Sequence, residues 1–157
     1  MTDFNTLYRK YAPDVFRFAL YLSGSRADAE DITSETFVRV WTSPAAVEGA
    51  TVKSYLFTIA RNLFLQELRK RRPQAELDDG LRDPRASPQA QAEQKAEMHA
   101  VLAGLQRLPE TDRAALLMRA LEGLPYEEIA RGLRISLASV KVKIHRARLT
   151  LAGIRNA

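Results

Sequence analysis

Residues 125–148 read PYEEIARGLRISLASVKVKIHRAR. Apolar residues recur at three- and four-residue spacing in both halves, so each half is predicted to be helical. Pro125 opens a first helix over Tyr126 to Leu133. Arg134 and Ile135 make a tight turn, and Ser136 stands where an N-cap is needed before a second helix from Leu137 to Ile154. Two short helices, a tight turn and a basic second helix follow the helix-turn-helix plan.

The second helix has two faces. At about 100° per residue, Val140, Ile144, Ala147 and Leu151 share one narrow arc, which must face a core. Ala138, Ser139, Lys141, Val142, His145 and Arg146 lie opposite, with Lys143 toward the core edge. A valine at the centre of a solvated face loses helix propensity and gains nothing from water. Against DNA it can meet a thymine methyl while its polar neighbours take phosphates and base edges. A basic helix taken alone is more often a solvated surface whose charges compensate a helix C-terminus. The preceding helix and turn tip the reading toward nucleic acid.

Charge supports that direction. The 157 residues carry 24 Lys and Arg against 19 Asp and Glu, unevenly placed. Residues 1–73 hold 11 basic and 8 acidic side chains, residues 74–106 hold 3 and 6, and residues 107–157 hold 10 and 5. From Ile129 onward there are basic residues and no acidic one, which suits a polyanionic partner. With no cysteine, disulfides and thiolate metal sites are excluded, and a cytoplasmic protein is the expectation. The N-terminus lacks a signal-peptide pattern, and no window approaches the roughly 18 apolar residues of a membrane span.

Upstream, helical periodicity continues and strand-like alternation is missing, so the chain is expected to be all-α. Phe4, Leu7, Tyr8 and Tyr11 make one amphipathic stretch; Pro13 then breaks it, and Val15, Phe18, Ala19 and Leu22 make a second that ends at Gly24. Ser25 followed by Asp28 resembles a capping box for a helix to about Ser43. Thr51 caps the next helix, which runs to Arg72 before Pro73. Residues 74–88, QAELDDGLRDPRASP, are acidic and poor in apolar side chains. They read as a flexible linker between residues 1–73 and 89–157. Each flanking block is near the lower size at which one core supports a fold.

Several motifs now stand in order: Glu30 to Phe37 with Trp41, Tyr55 to Asn62, Leu108-Pro109 with Arg113, Glu122 to Leu124, Tyr126 to Ala130, and Val140-Lys141 through His145-Arg146-Ala147-Arg148. Together they resemble the extracytoplasmic-function (ECF) sigma factors of bacteria, over nearly the whole chain. The resemblance implies two small helical domains, a sigma region 2 bundle over 1–73 and a sigma region 4 helix-turn-helix over 89–157. It implies a transcription initiation factor that binds core RNA polymerase and directs it to promoters. Region 4 would read the minus-35 duplex with Ser139, Lys141, Val142, His145 and Arg146.

Region 2 would do two jobs. Asp31, Ser34, Glu35 and Val38 lie opposite the arc of Ala29, Ile32, Thr36 and Val40, and the resemblance assigns them to core polymerase. Lys53, Ser54, Tyr55, Arg61, Asn62 and Gln66 sit on a basic, aromatic-bearing helix suited to single-strand binding. The resemblance assigns them to the single-stranded non-template strand of the minus-10 element, with the loop Ala45 to Ala50 and Asn62 near a flipped base. Phe57 and Phe64 are expected in the core rather than on the strand-binding surface. An anti-sigma factor is a further partner the family implies, and no cofactor is expected.

Two other functions remain open from sequence alone. A stand-alone helix-turn-helix regulator shares the C-terminal features, although it has no need of the Asp31/Glu35 face. An enzyme fits poorly: His99 and His145 lie 46 positions apart, and no GxxxxGK[ST], GxGxxG or GxSxG pattern occurs.

Overall fold

The computed structural model describes residues 3–42, 51–71 and 87–156. Among them every regular element is a helix: α1 (Phe4–Ser23), α2 (Arg26–Thr42), α3 (Val52–Lys70), α4 (Pro88–Gln106), α5 (Glu110–Ala120), α6 (Tyr126–Leu133) and α7 (Leu137–Asn156). Helices α1 to α3 pack on one another, and α5 to α7 form a second group with α4 beside it. The all-α expectation holds. Most of the expected linker lies outside the described residues; its last two, Ser87 and Pro88, already begin α4, with Ser87 Oγ accepting from Ala90 N–H at 3.1 Å.

The break expected at Pro13 does not occur, because α1 runs straight through it. A proline inside a helix removes one N–H and costs about 3 kcal/mol. Val15, Phe18, Ala19 and Leu22 are fully buried on one side of it, and Phe4, Leu7 and Tyr11 pack on the same core from the other. Burial of each large side chain contributes about 1.5–3 kcal/mol, enough to hold both halves on one axis. Gly24 then ends α1 in the left-handed conformation, φ 72°, with its N–H on Leu20 O.

The expected caps form, one of them by half. Thr51 Oγ1 accepts from Ser54 N–H at 3.1 Å, and Ser136 Oγ from Ser139 N–H at 3.0 Å. Ser25 Oγ accepts from Asp28 N–H at 3.2 Å, but the Asp28 carboxylate does not reach back. It takes both terminal nitrogens of Arg71 at the end of α3 instead, a charge-assisted fork stronger than a capping contact. Arg134 adopts φ 58° and ψ 47° at the C-cap of α6, the one positive φ at a non-glycine among the described residues. The strain is of order 1 kcal/mol, and the turn it makes lets Ile135 N–H reach Ala130 O at 3.1 Å.

The two groups share one buried cluster that runs from Val15 through Phe57 and Leu117 to Ala147. Their seam is polar as well as apolar. Leu22 O, an orphan carbonyl in the last turn of α1, accepts from Arg113 Nη1 at 2.5 Å and from Gln106 Nε2 at 3.3 Å. Burial pulls the Arg113 guanidinium below its ordinary value, with Glu110 opposing; its charge also lies over the Phe64 ring, 5.9 Å from the centroid. Gly132 of α6 comes so close to α3 that a Cβ there would stand 2.5 Å from Thr58 Oγ1.

Candidate nucleic-acid and polymerase interfaces

Helix α7 carries the two faces its spacing dictates. Val140, Ile144 and Ala147 are buried, and Leu151 packs against them. Lys141, Val142, His145 and Arg146 are exposed, and Ser139 is half-buried near the helix start. Val142 is 59% exposed, a large aliphatic side chain left in water among polar ones. Lys143, expected at the core edge, lies 3.8 Å from Asp112.

Arg146 is less free than the helical arc suggests. Its Nε and Nη2 donate to the two oxygens of Asp112 on α5, at 2.7 and 2.9 Å. The Asp112 side chain is 1% exposed whereas that of Arg146 is 54% exposed, so a buried anchor holds a surface cation. Those hydrogen bonds raise the Arg146 guanidinium above its ordinary value, which keeps it charged at any working pH.

On α2, Ala29, Ile32, Thr36, Phe37 and Val40 are buried, as the arc requires. Asp31, Ser34, Glu35 and Val38 are exposed and line an open groove between α2 and α3, together with Gln66, Glu67 and Lys70. Gln66, expected with the minus-10 group, therefore stands with the α2 group. Glu35 pairs with Arg39 at 3.5 Å one turn on.

The remaining residues expected at minus-10 do not form one open surface. Asn62 is exposed and Tyr55 half-buried. Ser54 is 5% exposed, packed inside the first turn of α3. Lys53 Nζ donates to Glu122 O at 3.1 Å and lies 3.6 Å from Glu122 Oε1. Arg61 Nε and Nη2 donate to Glu110 Oε2 and Oε1 at 2.9 and 2.6 Å. Thr51 Oγ–H donates to Glu128 Oε2 at 3.2 Å. Lys53 and Arg61 of α3 are thus held by acids of the second group. Phe57 and Phe64 are core, with Phe57 edge-on to Phe18 at 5.0 Å. The loop Ala45 to Ala50 lies outside the described residues.

Sequence reasoning missed the acids that organise these contacts: Glu110, Asp112 and Glu122. The Glu122 side chain is fully buried between Arg17 and Lys53. Burial pushes its carboxyl above the ordinary range, Arg17 and Lys53 pull it down, and Asp14 adds to the rise. Among the described residues no group of three His, Cys, Asp or Glu could hold a metal. Nor is any described helix long and apolar enough to cross a membrane.

Comparison with known proteins gives this geometry a class. Residues 7–74 match the model of Sigma-70 region 2, and residues 98–151 match that of Sigma-70 region 4. The chain is 39% identical over 156 residues to the ECF RNA polymerase sigma factor SigE of Mycolicibacterium smegmatis, covering 96% of this chain and 61% of that protein. It is 33% identical to the ECF RNA polymerase sigma factor SigM of Bacillus subtilis, covering 96% and 93%. The fold is that of the sigma factor RpoE from Bartonella quintana, solved with the anti-sigma factor NepR: TM-score 0.81, 24% identity, 100% and 99% of the two chains. It is also that of CnrH, solved with the cytosolic domain of CnrY: TM-score 0.75, 22% identity, 98% and 87%. The chain belongs to the ECF sigma factors, a family of transcription initiation factors.

Proposed function

We propose that this chain binds core RNA polymerase and directs it to specific promoters, its C-terminal group reading the minus-35 duplex and its N-terminal group opening the minus-10 element. The observation that carries this reading is the outward face of α7, where Val142 stands exposed among Lys141, His145 and Arg146 while Val140 and Ile144 fix the helix to the core. The charges supply salt-dependent affinity for phosphate, and the aliphatic centre supplies a contact that only a base edge rewards.

In this reading Asp31, Ser34, Glu35 and Val38 meet the polymerase. Their groove is open and carries acid beside an exposed valine, suited to a basic and apolar partner. Lys53, Ser54, Tyr55, Arg61, Asn62 and Gln66 serve the minus-10 strand. Melting needs no covalent chemistry and no cofactor, since capture of extruded bases offsets the few kcal/mol of lost stacking. Lys53 and Arg61 must first leave Glu122 and Glu110, so promoter opening requires the two groups to separate. An anti-sigma factor fits the same scheme, because the packed arrangement offers it a closed form to clamp. The site of action is the cytoplasm, where polymerase and promoter are.

Binding of the chain to core polymerase tests the reading. Asp31→Lys with Glu35→Lys should weaken that binding at least tenfold while leaving duplex binding by α7 unchanged. A stand-alone regulator would bind a specific duplex and show no affinity for polymerase.

A further inference from the structure

Asp112 is a buried acid whose charged partner, Arg146, stands on the exposed face of α7. It lies in the first turn of α5, where a helix N-terminus favours a carboxylate, and its side chain is 1% exposed. A buried carboxylate is costly unless each oxygen is satisfied. Here both are: Oδ2 accepts from Arg146 Nε at 2.7 Å, and Oδ1 from Arg146 Nη2 at 2.9 Å, with Lys143 Nζ at 3.8 Å. The anchor has nowhere else to go.

The fork has a consequence in valence. A guanidinium offers five N–H donors in one plane. Asp112 takes the side-on pair, the Nε hydrogen and one Nη2 hydrogen. The end-on pair, one hydrogen each from Nη1 and Nη2, is left parallel and unclaimed by the carboxylate. That pair matches guanine O6 and N7 in the major groove, the bidentate contact by which an arginine tells guanine from other bases. A phosphate accepts from an arginine in almost any pose, whereas a guanine edge needs a plane fixed in advance. An arginine free on the surface loses rotamer freedom when it is fixed; one already pinned at its far edge loses less on binding. Half the Arg146 side chain is open to solvent, on the same side of α7 as Val142 and His145.

We infer that Asp112 is a positioning residue for promoter recognition, holding Arg146 with its end-on edge outward so that one guanine of the duplex is read through this pair. The inference rests on the reading that α7 meets the minus-35 duplex. Lys143 shares the anchor and remains a phosphate contact at the edge of the same surface.

The test is selection of a randomised duplex library by the full chain assembled with core polymerase, using the wild type, Asp112→Asn, Arg146→Lys and the double variant Asp112→Asn/Arg146→Ala. The wild type is expected to prefer guanine at one position by roughly ten- to a hundredfold. Asp112→Asn should reduce that preference to within about threefold while preferences at other positions persist, because a neutral amide no longer fixes the fork. Arg146→Lys keeps the charge and should erase the same preference, and the double variant should likewise show no preference at that position. Arg146→Lys changes a half-exposed side chain, so it tests the guanine contact itself even where Asp112→Asn lowers stability. Undiminished guanine preference in Asp112→Asn or Arg146→Lys would overturn the inference, as would equal loss at every position. A wild type that enriches no sequence would instead overturn the reading of α7 itself.

Discussion

Arg61 of α3 grips Glu110 of α5 through two parallel hydrogen bonds, Nε to Oε2 at 2.9 Å and Nη2 to Oε1 at 2.6 Å, across 49 positions of sequence. The two side chains are only 11% and 16% exposed, so the pair is largely screened from solvent. It joins a cation assigned to promoter DNA with an acid of the other helical group. Glu110→Ala should therefore lower thermal stability by about 1–3 kcal/mol and raise the affinity of the chain for single-stranded DNA, with a steeper salt dependence. Titration of a labelled oligonucleotide at two salt concentrations reads this out. An unchanged affinity would mean that Arg61 does not meet the strand.

The contact of Gly132 with Thr58 gives an independent handle on the same seam. Alanine at 132 should gain about 1 kcal/mol of helix propensity in α6, yet its Cβ would stand 2.5 Å from Thr58 Oγ1. Gly132→Ala is expected to destabilise the packed form. Thr58→Ala removes the obstructing oxygen, and the double variant should match or exceed the wild type. Simple additivity in that double-mutant cycle would show that the helices do not approach as closely as described.

Glu122 sets a pH dependence. Its folded carboxyl is held above the ordinary value of 4.5, chiefly by burial. A carboxyl raised on folding keeps its proton longer in the folded state, so it contributes stability that is fully present below about pH 4.5 and is lost as pH rises through the raised value. Arg17, Lys53 and Asp14 face it and persist in the variant, so the difference between wild type and Glu122→Gln isolates the one group. The thermal midpoint of the wild type should fall relative to Glu122→Gln as pH rises from about 4.5 toward neutrality. Parallel curves would exclude Glu122 as the source.

Val142→Asp should abolish duplex binding by the C-terminal group while leaving the folding free energy within about 0.5 kcal/mol of wild type, as expected for an exposed position. Val142 is 59% exposed, so the substitution buries no charge. Retained duplex binding would show that DNA meets another face.

Much of this was legible in the chain itself because it depends on local periodicity. The placing of Val140, Ile144 and Ala147 inward and Val142 outward follows from turning 100° per residue, and the caps at Thr51 and Ser136 from short-range chemistry. Pro13 misled, since the cost of a local break is smaller than the burial that both halves of α1 obtain. The acids could not be found from spacing. Asp112 meets Arg146 across 34 positions and Glu110 meets Arg61 across 49; in sequence each is only an acidic residue near a helix start. The same holds for the packing of the two groups, because a glycine at 132 reads as a weak point in a helix until α3 is seen against it.

Run-off transcription tests the central claim most directly. Core RNA polymerase alone and core polymerase with this chain are compared on a duplex carrying the sequence the chain selects, with the Asp31→Lys/Glu35→Lys variant alongside. The account predicts a discrete promoter-dependent transcript only with the wild-type chain, and its loss with the variant. Specific duplex binding without any transcript would contradict it.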